Sequence, residues 1–258
     1  MPIAYFKGVK SILCVIFIFL FNLTFSQRTK KIVVDDYELF AKHEYYVLRK
    51  DKTIKHGSYK SVWVNGNPRQ EGYYHMGKKD SLWIYYNRMK PVVGSRGYYK
   101  EGKKIGIWEY YDDRGNILNR YDHTERFLSY SSYEDTTKVH AIRITDSLSL
   151  NDSIIETKLD FPPVYLEGEK NKFRIIQDNI VYPSTAIKDN IFGTVRIAFF
   201  VTKEGYAVDH KIIKSIGGGC YEEALRVVKL IPDEWCPGVL DGNIVEARVI
   251  VPITFVLN

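Results

Sequence analysis

Apolar and polar residues alternate most regularly in the last third of the chain. The period is two over Thr194 to Val201 and again over Ala247 to Leu257, which predicts two strands with one buried face each. Between them, Cys220 to Leu230 carries apolar residues at helical spacing, which predicts a helix packed on the sheet. With a short helix opened by Tyr182-Pro183 and a strand from Val208 to Ser215, the predicted order is helix, strand, strand, helix, strand.

The middle of the chain repeats an aromatic pattern at an offset of 25 residues. Residues 72–86 and 97–111 are identical at nine of fifteen positions. Each unit predicts a β-hairpin, in which Gly-Tyr-Tyr forms one strand, Gly-Lys-Lys the turn and Trp-x-Tyr-Tyr the returning strand. The segment from His56 to Asn67, with a turn at Asn65-Gly66, is interpreted as a degenerate earlier unit. Stacked hairpins of this kind predict a small antiparallel sheet.

These blocks resemble the MORN-like repeat family over about residues 55 to 120. Ser81 replaces the usual glycine before the tryptophan of the first full unit, whereas Gly106 keeps it, so we expect the local turn to differ. The aromatic side chains are interpreted as packing groups of a thin sheet, and the Lys-Lys pairs as solvated turn residues. Any function of this sheet would be surface binding.

The C-terminal segment contains a series of motifs, in order over about residues 172 to 257: Tyr182-Pro183, Gly193-Thr194-Val195, Gly205, Gly217-Gly218-Gly219 before Glu222-Glu223-Ala224-Leu225, Trp235-x-Pro237-Gly238, and Pro252-Ile253-Thr254-Phe255. With these motifs the segment resembles the C-terminal domain of TonB proteins, the periplasmic end of an energy transducer for outer-membrane import. The resemblance implies an α+β domain with a three-stranded antiparallel sheet and two or more helices, whose exposed edge strand receives an extended peptide.

The final strand is the predicted binding edge. Pro252 cannot donate to a ladder, and prolines in sheets are confined to edges and bulges, so its position favours an exposed edge. We therefore expect a protein or extended peptide to pair there, and the resemblance implies an outer-membrane receptor as a candidate partner. The predicted contact residues are Tyr182, Pro183, Arg248, Ile250, Pro252 and Thr254.

The N-terminus predicts export. Lys7 and Lys10 precede the apolar stretch Ile12 to Phe25, a pattern typical of a secretory signal peptide with cleavage after Ser26. The alternative is retention as an inner-membrane anchor. The resemblance implies that the anchoring helix of a full transducer carries a histidine, which is used at the proton-driven motor. The first histidine of this chain is His43, outside the apolar segment. A periplasmic binding module is therefore favoured over a membrane-anchored transducer component.

The chain is thus predicted to contain five segments. They are a signal peptide over 1–26, a lead-in over 27–54, the hairpin repeats over 55–120, a linker with some strand content over 121–170, and the TonB-like domain over 171–258. The overall class is α+β, with an antiparallel hairpin-repeat sheet first. A second alternative is a non-transport envelope scaffold that uses the repeat sheet.

Composition and motif content argue against several classes of function. The 258 residues include 20 tyrosines and carry a formal charge of +6, too mild an excess to indicate nucleic-acid binding. No catalytic motif is complete, so no enzyme activity, metal or cofactor is expected, although an undetected envelope hydrolase remains a third class of function. Export would place Cys220 and Cys236 in an oxidising compartment, where they could form a disulfide if the chain between them folds back.

Overall fold

The computed structural model describes residues 28–132, 139–145 and 152–257. The predicted signal peptide lies outside them. The described helices are α1 (Glu169–Asn179), α2 (Ser184–Lys188) and α3 (Cys220–Val228). None of these is long and apolar enough to cross a membrane.

A nine-stranded antiparallel sheet forms the N-terminal part, and each strand pairs with the next one along the chain. Its strands are β1 (Thr29–Asp36), β2 (Ala41–Leu48), β3 (Lys55–Trp63), β4 (Pro68–His75), β5 (Lys78–Tyr86), β6 (Val93–Lys100), β7 (Lys103–Tyr111), β8 (Ile117–Asp122) and β9 (Phe127–Ser131). The repeats therefore lie inside a larger sheet, which begins before residue 55 and continues beyond residue 120. The predicted lead-in and the start of the predicted linker supply its outer strands.

In each of the two full repeat units, a tryptophan packs against a glycine on the neighbouring strand. Gly97 on β6 faces Trp108 on β7 so closely that a Cβ there would lie far inside van der Waals contact with the indole ring. The indole Nε1–H donates to the Tyr98 carbonyl at 3.1 Å. Gly72 and Trp83 show the same close approach in the preceding unit. The two indoles are fully buried, so each glycine makes the space in which its tryptophan packs.

The predicted hairpin turns are present. Met76-Gly77 and Glu101-Gly102 both have positive φ at each residue, as the tight turns that match the twist of β-hairpins require. Our expectation that Ser81 changes the local geometry is wrong, because φ is 60° at Ser81 and 59° at Gly106. The same left-handed bulge is therefore built with a serine in one unit and a glycine in the other.

The C-terminal part is built on a six-stranded sheet rather than the predicted three-stranded one. Its order is β11-β10-β17-β13-β14, with β16 paired to β17. These strands are β10 (Val139–Thr145), β11 (Asp152–Lys158), β13 (Gly193–Val201), β14 (Ala207–Lys214), β16 (Gly238–Leu240) and β17 (Asn243–Phe255). The difference arises because the predicted linker contributes the antiparallel strands β10 and β11, and because β16 turns back onto β17 at Asp241-Gly242.

The core of the C-terminal part lies between this sheet and the helices. Val195, Ile197 and Phe199 on β13 and Ala224 on α3 are buried in one cluster with the inward residues of β17. Trp235 and Phe255 belong to the same core, each 3% exposed. On β17 one alternating face is buried, as the period-two pattern predicts. On β13 the prediction is wrong from Ile197 to Val201, because Ala198 and Phe200 on the second face are buried as well.

The two parts of the chain share a second core. The short strands β12 (Val164–Tyr165) and β15 (Trp235–Cys236) pair with each other beside the repeat sheet. Val164, Leu166 and Cys236 pack in one buried cluster with Trp108 and Tyr121 of the repeat sheet. The repeat sheet therefore packs directly against the C-terminal part.

Candidate functional site

The final strand, β17, lies between β10 and β13 in the sheet and is therefore not an edge strand as predicted, although one of its two sides is free over most of its length. β13 pairs with it from Gly193 opposite Phe255 to Val201 opposite Ala247. On the other side, β10 pairs only at Glu246 and Ala247. Beyond Ala247, no strand in the described part of the chain pairs with that side. We call residues 248–255 on this side the free edge.

Backbone alternation determines which N–H groups face the free edge. The Thr202 N–H bonds to the Tyr206 carbonyl where β13 turns into β14, so the N–H groups of odd-numbered residues in β13 point to β17. Odd residues of β13 lie opposite odd residues of β17, which leaves even residues pointing outward. Ile250 and Thr254 therefore direct N–H groups at the free edge. Pro252 has its ring on that side, where no ladder bond to β13 is lost.

A cleft of about 950 Å³ adjoins one end of the free edge. It is lined by Arg248 to Ile250, by Phe173 of α1, by Pro162-Pro163 and by Tyr111 of the repeat sheet. Phe173 is 58% and Ile250 43% exposed. The Arg248 guanidinium bonds to Glu156 of β11 at 3.1 Å, which marks the point where β10 and β17 separate. An extended segment on the free edge would enter this cleft at its Arg248 end.

The other predicted contact residues lie at the opposite end of β17. The Tyr182 hydroxyl donates to the Ile191 carbonyl at 2.6 Å, and its ring packs edge-on against Phe255. Pro183 is the N-cap residue of α2. Thr254 exchanges a 3.0 Å side-chain hydrogen bond with Thr194. Tyr182 and Pro183 thus fix α2 beside the strand end, while Arg248 and Ile250 border the cleft.

The predicted Cys220–Cys236 disulfide is absent from the structure, in which both thiols are free and buried. Cys220 begins α3 inside the core of the C-terminal part, whereas Cys236 faces the cluster shared with the repeat sheet. The chain after α3 does not fold back to bring the two side chains into one core. Burial raises the pKa of the Cys236 thiol to about 12, which keeps it protonated and unreactive.

An ion pair joins the two parts of the chain. Lys104 Nζ lies 2.6 Å from both carboxylate oxygens of Glu234, and the Tyr110 hydroxyl donates to the same carboxylate at 3.2 Å. Burial and the nearby Glu234 charge raise the pKa of Glu167. Asn119, itself buried, donates to the Leu166 carbonyl at 2.8 Å. Packing, hydrogen bonds and charge therefore all connect the repeat sheet to the segment that carries the cleft.

We expect stability to fall with acidification because of His123. Its ring stacks edge-on against Tyr121, and Nε2 lies 2.9 Å from the Tyr110 hydroxyl. Burial, and secondarily the Lys104 charge, lower its pKa from 6.5 to about 3. Between those values the unfolded chain binds a proton that the folded chain does not. The free energy of unfolding should therefore fall by up to about 1.4 kcal/mol per pH unit below pH 6.5.

The measurement is urea unfolding at pH 7.0, 6.0 and 5.0 for the parent and for His123→Gln. The variant should show the shallower fall with pH because it lacks the titrating ring. Equal slopes for the two proteins would contradict the assignment. The same measurement on His43→Gln provides a comparison. Burial also lowers the pKa of His43, so this variant too should lose less stability than the parent as the pH falls.

The sequence analysis missed the second lysine of each Gly-Lys-Lys turn. Lys78 and Lys103 are exposed, as interpreted, but Lys79 and Lys104 lie on the opposite face against aromatic rings. The available signal was the two-residue turn, since neighbouring residues of the strand that follows must point to opposite faces. Among the described residues, no group of three histidine, cysteine or acidic side chains is placed to hold a metal ion.

Comparison with protein families identifies the C-terminal segment. Residues 178–257 match the family model of the Gram-negative bacterial TonB protein C-terminal domain, which confirms that resemblance. This is a family of energy-transduction and interaction domains rather than of enzymes. Neither the curated proteins nor the solved structures contain a match to the chain.

Proposed function

We propose that this chain is a cell-envelope protein linked to TonB-dependent transport, and that its C-terminal domain binds a partner protein by strand addition. The observation that carries the proposal is the free edge of β17. The family match over residues 178–257 supports the envelope and transport setting. After removal of residues 1–26 the protein would act in the periplasm, with an outer-membrane receptor as the favoured partner.

The free edge suits an extended peptide better than a compact ligand. Its N–H and C=O groups lie in a row at strand spacing, so a peptide backbone can bond to them with little demand on sequence. Ile250, Pro252 and Thr254 are all exposed beside that row. Selectivity would come from the cleft, where Phe173 offers an exposed aromatic ring at the Arg248 end of the edge.

Replacing Ile250 with proline should weaken partner binding at least tenfold. The change removes an N–H that faces the free edge and adds a ring in the path of the incoming strand. A lost hydrogen bond of about 1.4 kcal/mol already corresponds to a tenfold change, and the ring adds a steric cost. The fold should survive, because Pro252 occupies the same side of β17 and the bonds to β13 are kept.

The test uses the mature chain as bait in envelope extracts, followed by titration of the captured partner against each variant. Ile250→Ala is the matched control, since it removes the same side chain but keeps the N–H and should retain most of the affinity. Thermal unfolding confirms that both variants are folded. A partner that binds the proline variant as tightly as the parent would refute strand addition at this edge.

A further inference from the structure

The repeat sheet carries a second, unrelated feature, a row of lysines set among aromatic rings on one face. Lys55 lies 4.9 to 5.5 Å from the ring centres of Tyr45, Tyr59 and Tyr74. Lys79 lies 4.5 Å from the ring of Trp83. Lys55 is the first residue of β3 and Lys79 is the second residue of β5, so the row runs across the strands. We call this surface the lysine face.

The third member of the row shows what such a site accepts. Lys104, at the position equivalent to Lys79, lies 4.2 Å from the Trp108 ring centre. Both oxygens of the Glu234 carboxylate, which comes from the C-terminal part, bond to its ammonium group. The Tyr110 hydroxyl donates a further bond to that carboxylate. At this lysine the protein itself supplies the carboxylate, which binds an ammonium group that lies against aromatic rings.

The second site has the same components without the carboxylate. Lys79 Nζ donates to the Tyr85 hydroxyl at 2.7 Å, and Tyr85 exchanges a 3.1 Å hydrogen bond with the Tyr99 hydroxyl. Tyr85 is the counterpart of Tyr110 at the repeat offset of 25 residues. Within the described ranges, no carboxylate lies at ion-pair distance from Lys79 or Lys55. Burial, and then the Lys104 charge, lower the pKa of Lys79 to about 8, so an unpaired ammonium group is costly there.

We propose that the Lys79 and Lys55 sites bind two carboxylates of an acidic segment of a partner protein, each in the manner of Glu234 at Lys104. Alternate strands of a sheet are about 10 Å apart, so the two ammonium groups are separated by roughly that distance. In a segment with the extended polyproline II conformation, side chains three residues apart lie on the same side and are about 9 Å apart. The preferred ligand is therefore an extended segment with two acidic residues at that spacing, lying across the strands.

The experiment titrates the full mature chain with a blocked peptide, Gly-Glu-Gly-Gly-Glu-Gly, and with the same peptide carrying glutamine in place of glutamate. The parent protein should bind the glutamate peptide at least tenfold more tightly. Lys79→Met should lose at least tenfold in affinity, and Lys55→Met should also weaken binding. Lys78→Met, which changes the net charge equally at the exposed neighbour, should stay within twofold of the parent.

Equal affinity for the two peptides, no binding at all, or equal losses in the Lys78 and Lys79 variants would each overturn the proposal. If Lys79→Met were unfolded, Lys79→Gln would provide the same test with a neutral polar group. The inference is independent of strand addition at β17. Ile250→Pro should therefore leave binding of the glutamate peptide unchanged, which separates failure of one proposal from failure of the other.

Discussion

Replacing Gly97 by alanine should lower the free energy of unfolding by about 3 kcal/mol. The new methyl group would overlap the Trp108 ring, which is fully buried and held by its bond to the Tyr98 carbonyl. Overpacking of a closed core site costs about 1 to 3 kcal/mol, and this site belongs at the upper end because the obstacle is a rigid indole. The measurement is urea unfolding followed by tryptophan fluorescence and by circular dichroism.

Gly94→Ala is the matched control, because Gly94 lies in the same strand. A Cβ there would meet its nearest neighbour at 3.6 Å, an ordinary contact. The control should therefore be neutral or slightly stabilising, since alanine restricts the unfolded chain more than glycine does. An equal loss of unfolding free energy at the two glycines would show that strand propensity, rather than the space occupied by Trp108, explains why glycine occupies this position in the repeat.

Lys104→Met should cost about 3 kcal/mol at pH 7. The ammonium group is the ion-pair partner of Glu234, and the two side chains are only 16% and 23% exposed. Removal of one member of a buried pair leaves the other uncompensated, at a cost of about 3 to 5 kcal/mol for fully buried pairs. Glu167, whose pKa is already raised by burial and by Glu234, makes an unpaired carboxylate here still less favourable.

Two comparisons separate this effect from lost packing. Lys104→Met combined with Glu234→Gln should recover most of the loss, because no unpaired charge remains. Lys79→Met at the equivalent position should be neutral or stabilising, since no carboxylate of the described residues lies at ion-pair distance from its ammonium group and burial lowers its pKa. A Lys79 variant as unstable as the Lys104 variant would show that the aromatic packing of the lysine stem dominates.

Local signals explain what the sequence predicted well. The hairpins follow from aromatic strands joined by glycine-containing turns, and Met76-Gly77 and Glu101-Gly102 lie where the pattern places them. The strands β13 and β17 follow from a period of two, and α3 from apolar residues at helical spacing. Each of these elements is specified by residues close together in the chain.

Long-range pairing explains what could not be predicted. The antiparallel pair β10–β11 joins the C-terminal sheet through Ile142 opposite Ala247, about a hundred residues away. The sequence of β10 is compatible with a strand, but nothing in it indicates which strand it pairs with. The partner of Lys104 is equally remote, because Glu234 reaches it only after β15 has paired with β12. The buried positions of Cys220 and Cys236 depend on the same tertiary contacts.

The core shared by Trp108, Leu166 and Cys236 also makes the two parts of the chain thermodynamically dependent on each other. A shared core of this kind favours a single cooperative unfolding transition over two separate ones. Any ligand that binds only the folded chain stabilises it by mass action. A peptide held on the free edge of β17 would consequently raise the melting temperature of the whole nine-stranded sheet, although it touches few of the residues that build it.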